Sequence, residues 1–367
     1  MLDFYKYPDK DVVNELVSGA DLVGEVPTTQ MLPVKFTPAL LTVEALRSQS
    51  KLRRPHVEQD YRSSGDAEID NEVWRQTLEE RDKGWLLGPI PFEQIPPDAP
   101  VSRRFGLRQR HKVRLIDDFS ESSVNQAVTV FETLHTVDIA AATLIFWLRG
   151  CKKLQRAAAL MVRTFDLSSA YRQVGLSPAG RAFSYTRVFC PATGTWAFFQ
   201  AQVLPFGAVK SVHSFLRLAR AIWWIGTTAC LLVWSSFYDD YILFSTPDLV
   251  RSSEITAAAL FELLGWDYAK DGRKCIPFSY TCEALGVLFN LEESAKGICK
   301  LFNTTSRIEE IAAEVERVVQ SGHLLQSDAQ KLRGRLRFAE AQLYGRMQLA
   351  AKDQSWMRIM LLRLDCL

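Results

Sequence analysis

The sequence predicts an α+β fold, and two patterns carry that prediction. Period-two alternation runs through residues 158–166 and two apolar β-rich runs flank a short polar centre in 229–245, while three- and four-residue apolar spacing dominates the segments around them. Strands gathered in the middle, with helices before and after rather than strictly between them, point to α+β and away from alternating βαβ units. With 367 residues, 47% of them hydrophobic and 23% charged, the chain is long enough for two or three domains and has no repeat or low-complexity run. Peptide hormones, disulfide miniproteins and disordered chains are excluded.

Taken in order, residues 1–66 read as an N-terminal extension. They carry one helix, with Val12, Val13, Leu16 and Val17 on a face closed by Gly19, followed by polar sequence. Val73, Trp74, Thr77 and Leu78 ahead of Gly84 predict a helix over 71–83, and Pro89, Pro91, Pro96, Pro97 and Pro100 predict a loop. In AALMVRTFD (158–166), Leu160, Val162, Thr164 and Asp166 share one side of a strand and Met161, Arg163 and Phe165 the other, so Asp166 stands at the strand's end. From Ser211, the positions Val212, Phe215, Leu216, Ala219, Ile222 and Trp223 give a buried helix face. Two apolar runs, 230–234 and 241–244, predict a hairpin with Asp239 and Asp240 at its turn. Ile308, Ile311, Val315 and Val318 predict a helix, and Ser327-Asp-Ala-Gln330 is a capping box opening another through Leu332, Leu336 and Ala339.

Seven scattered cysteines, Cys151, Cys190, Cys230, Cys275, Cys282, Cys299 and Cys366, never stand in CxxC spacing. That argues against a disulfide framework and a zinc site and for an intracellular location, cytoplasm and nucleus not being distinguished. The charged N-terminus lacks the apolar core of a signal peptide, and the longest apolar stretch, 221–234, is too short for a membrane span. No membrane partner is expected. Net charge is only +2, yet Arg103, Arg104, Arg108, Arg110, Lys112 and Arg114 form one local basic stripe and Lys331, Arg333, Arg335 and Arg337 another.

A carboxylate at a strand end and a carboxylate pair at a hairpin turn converge only if their strands are neighbours. Such hard oxygen donors, with positions left for water and phosphate, suit Mg²⁺ acting on a phosphorylated substrate. Singly, each has a plainer reading: Asp-Asp as turn residues, and Asp166 before two serines as a helix cap. Asp117-Asp118 lies outside the hairpin, beside Lys112 and Arg114, and is read as pairing with those cations.

Taken together, TFDLSSAYRQVGLS (164–177), LPFGAVKSVHSFLR (204–217), FYDDYILFS (237–245), Lys274 and Leu285-Gly286-Val287 occur in an order that resembles the polymerase domain of reverse transcriptases. Upstream, GWLLGPI (84–90) and KVRLIDDFSESSVN (112–125) resemble the family's fingers segments. Downstream, LRGRLRFAEAQLYGR (332–346) resembles the thumb end of enzymes from DIRS-type retrotransposons and of hepadnavirus-like enzymes. The likeness covers roughly residues 70–346. It implies a right-hand polymerase, with fingers and the approach to the palm at 67–160, a palm at 161–290 containing a fingers segment near 181–203, a helical thumb at 291–346 and a tail at 347–367.

The resemblance also implies the chemistry. Asp166 and Asp239 match the metal-binding aspartates and Asp240 the adjacent carboxylate, with two Mg²⁺ ions, or Mn²⁺ in their place, as cofactors. The turn Leu167, Ser168, Ser169 and Ala170 would offer backbone N–H groups to phosphates. Tyr171 matches the ring beneath the incoming sugar, Phe206 packs near it, and Gly207 lets the backbone approach the nucleotide. Lys112 and Arg114 match residues gripping the triphosphate, and Lys274, rather than Lys270, matches the lysine that protonates the leaving pyrophosphate. Lys331, Arg333, Arg335 and Arg337 would track the template-primer backbone. The sequence departs from the family at Ser211-Val212, and at Phe237 and Tyr238 in the turn motif. The implied activity is DNA synthesis from deoxynucleoside triphosphates on an RNA or DNA template with a primer. The rivals are an RNA-directed RNA polymerase and an inactive nucleic-acid-binding descendant of a mobile element. The tail is too short for a ribonuclease H domain, and no feature assigns an oligomeric state.

Overall fold

The computed structural model describes residues 1–59, 63–109, 112–134 and 158–341. Arg110, Cys151, Cys366, residues 342–346 and the 347–367 tail lie outside the described residues. The strands in chain order are β1 Gly24–Glu25, β2 Val34–Thr37, β3 Leu86–Ile90, β4 Val101–Gln109, β5 Lys112–Asp118, β6 Val128–Glu132, β7 Met161–Asp166 and β8 Tyr185–Cys190. They continue as β9 Thr195–Ala201, β10 Val233–Phe237, β11 Asp240–Ser245, β12 Ile276–Ser279, β13 Thr281–Ala284, β14 Val287–Asn290 and β15 Lys300–Asn303. Helices and mostly antiparallel strands are mixed in a way compatible with the α+β expectation. The described residues form two compact units, one of 1–134 with 168–225 and the other of 158–167 with 226–341.

In the first unit a five-stranded sheet has the order β3-β9-β8-β4-β5, beside a three-stranded sheet β1-β6-β2. The helix Ala67–Asp82 begins four residues before the apolar spacing predicts. Its start is set by the Asp66 carboxylate, which accepts from the Glu68 and Ile69 N–H groups and leaves no apolar signal. Val73 and Thr77 are its buried face. Part of the expected proline loop is instead β3, an edge strand on β9, where Pro89 costs the sheet no interior hydrogen bond.

The helix Val12–Ser18 ends at Gly19 as expected, but only Val12 is buried, while Val13, Leu16 and Val17 are exposed. Its anchoring contact is polar: Glu15 accepts from Ser214 and pairs with Arg217, which Asp9 also binds through two bonds of 2.7 Å. Arg217 and Asp9 are buried, and such charges are tolerated inside only when paired this fully. The helix Val209–Thr228 starts two residues before Ser211, and His213 through Ala219 are buried on every side rather than along one face.

In the second unit a four-stranded antiparallel sheet has the order β10-β11-β7-β12. Strand β7 is covered on both faces. Leu160 and Val162 pack with Ile242, Phe244 and Phe289, while the Phe165 ring lies 5.6 Å from Phe261 and 5.5 Å from Tyr268 on the other side. Each such buried side chain contributes about 1.5–3 kcal/mol. The hairpin differs from expectation: β10 starts at Val233, the turn is Tyr238-Asp239, and Asp240 is the first residue of β11 rather than a turn residue. Tyr238 takes the left-handed conformation (φ 54°), which closes the chain in two residues and frees Asp240 for pairing.

A further sheet, β13-β14-β15, follows. The helices Thr305–Ser321 and Gln326–Ala341 meet through Ile311, Val315, Leu332, Leu336 and Ala339, whereas Ile308 is exposed. Ser327 does not cap the second helix. The Asp328 and Ala329 N–H groups both donate to the Leu325 carbonyl, which places Ser327 inside the first turn. Among the described residues no helix is long and apolar enough to cross a membrane.

Candidate active site

The second unit gathers the expected carboxylates at one end of the sheet's two central strands. Asp166 ends β7 and Asp240 opens β11, and the antiparallel register places the two residues opposite each other. Asp239 occupies the turn, where its carbonyl accepts from the Leu167 N–H at 3.1 Å, while the Asp166 carbonyl accepts from Ala269 N–H at 2.9 Å. Lys274, from the turn Gly272–Lys274, donates to both Asp166 carboxylate oxygens at 2.7 Å. Lys270 lies elsewhere, paired with Glu262 at 2.9 Å. Burial, reinforced by the Asp239 and Asp166 carboxylates, pushes the Asp240 carboxyl up to about 7, and the Lys274 ammonium acts in the opposite direction.

Three acids at this end of the sheet are hard oxygen donors with an excess of negative charge, a chemistry that fits a divalent cation. Their side chains are not drawn together as a ligand group: among the described residues no three carboxylate, His or Cys side chains are disposed to hold a metal ion. The cation seated on Asp166 is the Lys274 ammonium.

The first unit holds a second group of the expected residues. The Tyr171 ring stacks on Phe215 (4.7 Å, 21°) and tilts against Phe206 at 5.0 Å. The guanidinium of Arg114 lies 5.9 Å from the Phe206 ring centre and that of Arg172 5.4 Å. Lys112 and Arg114 are two apart on β5 and both exposed. Ser168 and Ser169 are exposed and Ala170 is buried at the start of a short 3₁₀ turn. The Leu167 amide is taken by Asp239, so it is not the phosphate donor expected of that turn.

One expectation is corrected here. Asp117 does not pair with Lys112 or Arg114. It forms a buried two-pronged bond with Arg104, at 2.7 and 2.9 Å, because the β4–β5 register sets residues 104 and 117 side by side. Asp118 accepts from the N–H groups of Ser120 and Glu121. At Gly207 (φ 96°) the close neighbour is the Asp117 carbonyl, 2.1 Å from where a β-carbon would stand.

Reasoning from the sequence missed the groups that hold this loop. Glu80 binds Arg104 at 2.8 Å and Arg172 at 2.7 Å, and Asn125 accepts from Val209 N–H while donating to the Gly207 carbonyl. These partners are far apart in sequence and leave no local signal. On the helix Gln326–Ala341, Lys331, Arg333, Arg335 and Arg337 are all exposed, with Lys331 3.4 Å from Asp328.

No family model matches the chain, and no curated protein matches it. Among solved structures the chain is similar to that of the foamy viral protease-reverse transcriptase dRH in complex with ds DNA, with a TM-score of 0.50 and 14% sequence identity. The similarity covers 75% of this chain and 41% of that one, so this chain spans less than half of that structure's length. At this identity the likeness is one of fold.

Proposed function

We propose that the chain is an RNA-directed DNA polymerase of the right-hand type, with fingers at 67–160 and 181–203, a palm at 161–290 and a thumb at 291–346. The observation that carries this reading is the in-register placement of Asp166 opposite Asp240, with Asp239 in the adjoining turn and Lys274 on Asp166. The fold likeness to a chain that includes a reverse transcriptase supports it.

In this reading Asp166 and Asp239 would hold Mg²⁺, with Asp240 beside them, and the bound metal would acidify a primer 3′-hydroxyl and neutralise the triphosphate. Lys274 would deliver a proton to the leaving pyrophosphate. Lys112 and Arg114 would hold the triphosphate through charge-assisted hydrogen bonds. Tyr171, braced by Phe215 and Phe206, would fill the space that a ribose 2′-hydroxyl needs. The exposed basic residues of the last helix would hold the template-primer backbone.

One observation favours a second reading, a nucleic-acid-binding protein without polymerase activity: Lys274 takes both oxygens of Asp166. Primer extension in Mg²⁺ on RNA and DNA templates, with deoxy- and ribonucleotides compared, separates the readings. The proposal expects deoxynucleotide extension on RNA. Preferred ribonucleotide use would point to an RNA polymerase, and no extension despite duplex binding to the inactive protein.

A further inference from the structure

The first unit also contains a cavity of about 330 Å³. Its volume lies at the lower end of the range for small-molecule sites. Part of the wall is apolar, formed by Val57, Ala99, Pro100 and Val101, and part is basic, formed by Arg53, Arg54 and Arg187.

Arg53 and Arg54, on the helix Val43–Gln59, are fixed by groups that carry no charge. Arg53 donates to the Glu121 carbonyl at 2.9 Å and lies 3.4 Å from the Ser123 hydroxyl. Arg54 donates to the Pro96 carbonyl at 3.1 Å and the Phe92 carbonyl at 2.8 Å, and its guanidinium covers the Phe92 ring at 4.3 Å. Carbonyls and a ring orient a guanidinium without neutralising it, and neither arginine pairs with a carboxylate among the described residues. The acid in the lining, Glu121, is already engaged by Arg187 at 2.8 Å and Arg103 at 3.7 Å. Arg187 is itself buried, and its Nε has no hydrogen-bond partner. The cavity therefore has preorganised, uncompensated positive charge beside an apolar wall.

We propose that this cavity binds a phosphomonoester, with the phosphate against Arg53 and Arg54 and the organic part against Val57 and Val101. A phosphomonoester carries close to two negative charges near neutral pH, matching two guanidiniums that lack a counter-charge, and its oxygens suit their forked N–H geometry. A free mononucleotide and the 5′-phosphate end of a strand present the same group.

The test is calorimetric titration of the full chain in a chelating buffer, which keeps divalent metal out of the measurement. Adenosine 5′-monophosphate is expected to bind and adenosine is not. Arg53 is exposed, so Arg53→Gln should leave the melting temperature unchanged, and losing one charge-assisted contact should weaken binding about tenfold, with Arg53→Lys intermediate. Displacement of the monophosphate by a 5′-phosphorylated oligonucleotide but not by its 5′-hydroxyl counterpart would identify a strand end as the source. Displacement by neither would identify the free nucleotide. Equal binding of adenosine and its monophosphate, no binding of the monophosphate, or unchanged affinity in Arg53→Gln would overturn the proposal.

Discussion

Lys274 and Asp166 are 108 residues apart in the chain, yet the lysine ammonium donates to both oxygens of the aspartate at 2.7 Å. Lys270, four residues earlier, is paired with Glu262 instead. The two lysines should therefore behave differently. Lys274→Ala is expected to slow single-nucleotide extension on the order of 10²-fold, the scale of a lost general acid, with Lys270→Ala close to wild type. Equal losses in the two variants would remove Lys274 from the reaction.

Asp240 yields a prediction about stability and pH. Its carboxyl is raised from 3.8 to about 7 by burial and by Asp239 and Asp166. The folded state thus holds a proton that the unfolded state releases at lower pH. The associated stability is complete below the unfolded value and is lost as pH rises toward 7. In chelating buffer, the gain in melting temperature from Asp240→Asn should grow between pH 4 and 7 and then level off. A gain independent of pH would contradict this.

Gly207 has a positive φ, and a β-carbon there would stand 2.1 Å from the Asp117 carbonyl oxygen. Gly207→Ala should lower unfolding free energy by more than about 2 kcal/mol, combining left-handed strain with backbone overlap. Gly194→Ala, also at positive φ but with no atom within 4 Å, is the control and should cost less. Equal losses in chemical denaturation would leave the overlap with no role.

The exposed cations of the helix Gln326–Ala341 predict a salt effect. Neutralising Lys331, Arg333, Arg335 and Arg337 together should weaken template-primer binding regardless of sequence. It should also reduce the log-log salt slope by up to ~4 if all four neutralise phosphates. An unchanged slope would mark the helix face as merely solvated.

Three neighbouring strands of the second unit, β7, β10 and β11, were legible because their residue patterns are local, whereas the other strands were not read from the sequence. The pattern in 158–166 placed Asp166 at the end of β7 and assigned Val162 and Phe165 to opposite faces, as they are found. Pairings between distant residues were not legible. Lys112 and Arg114 looked like partners for Asp117 because they are near in sequence, but strand register delivers Arg104 instead. Glu80 carries no local signal, and only tertiary packing brings it to Arg104 and Arg172. Likewise Ser327 fitted a capping pattern, while backbone bonding to Leu325 begins the helix one turn position earlier.

The most direct test of the central claim is primer extension by Asp166→Asn and Asp239→Asn, with template-primer affinity measured on the same preparations. If these carboxylates hold the metal while separate basic surfaces hold the duplex, both variants lose Mg²⁺-dependent extension and keep near wild-type affinity. Asp117→Asn, at the buried pair with Arg104, should retain metal-dependent turnover in whatever fraction folds. Extension by Asp239→Asn at the wild-type rate would contradict the assignment of Asp239 as a metal ligand, on which the account rests.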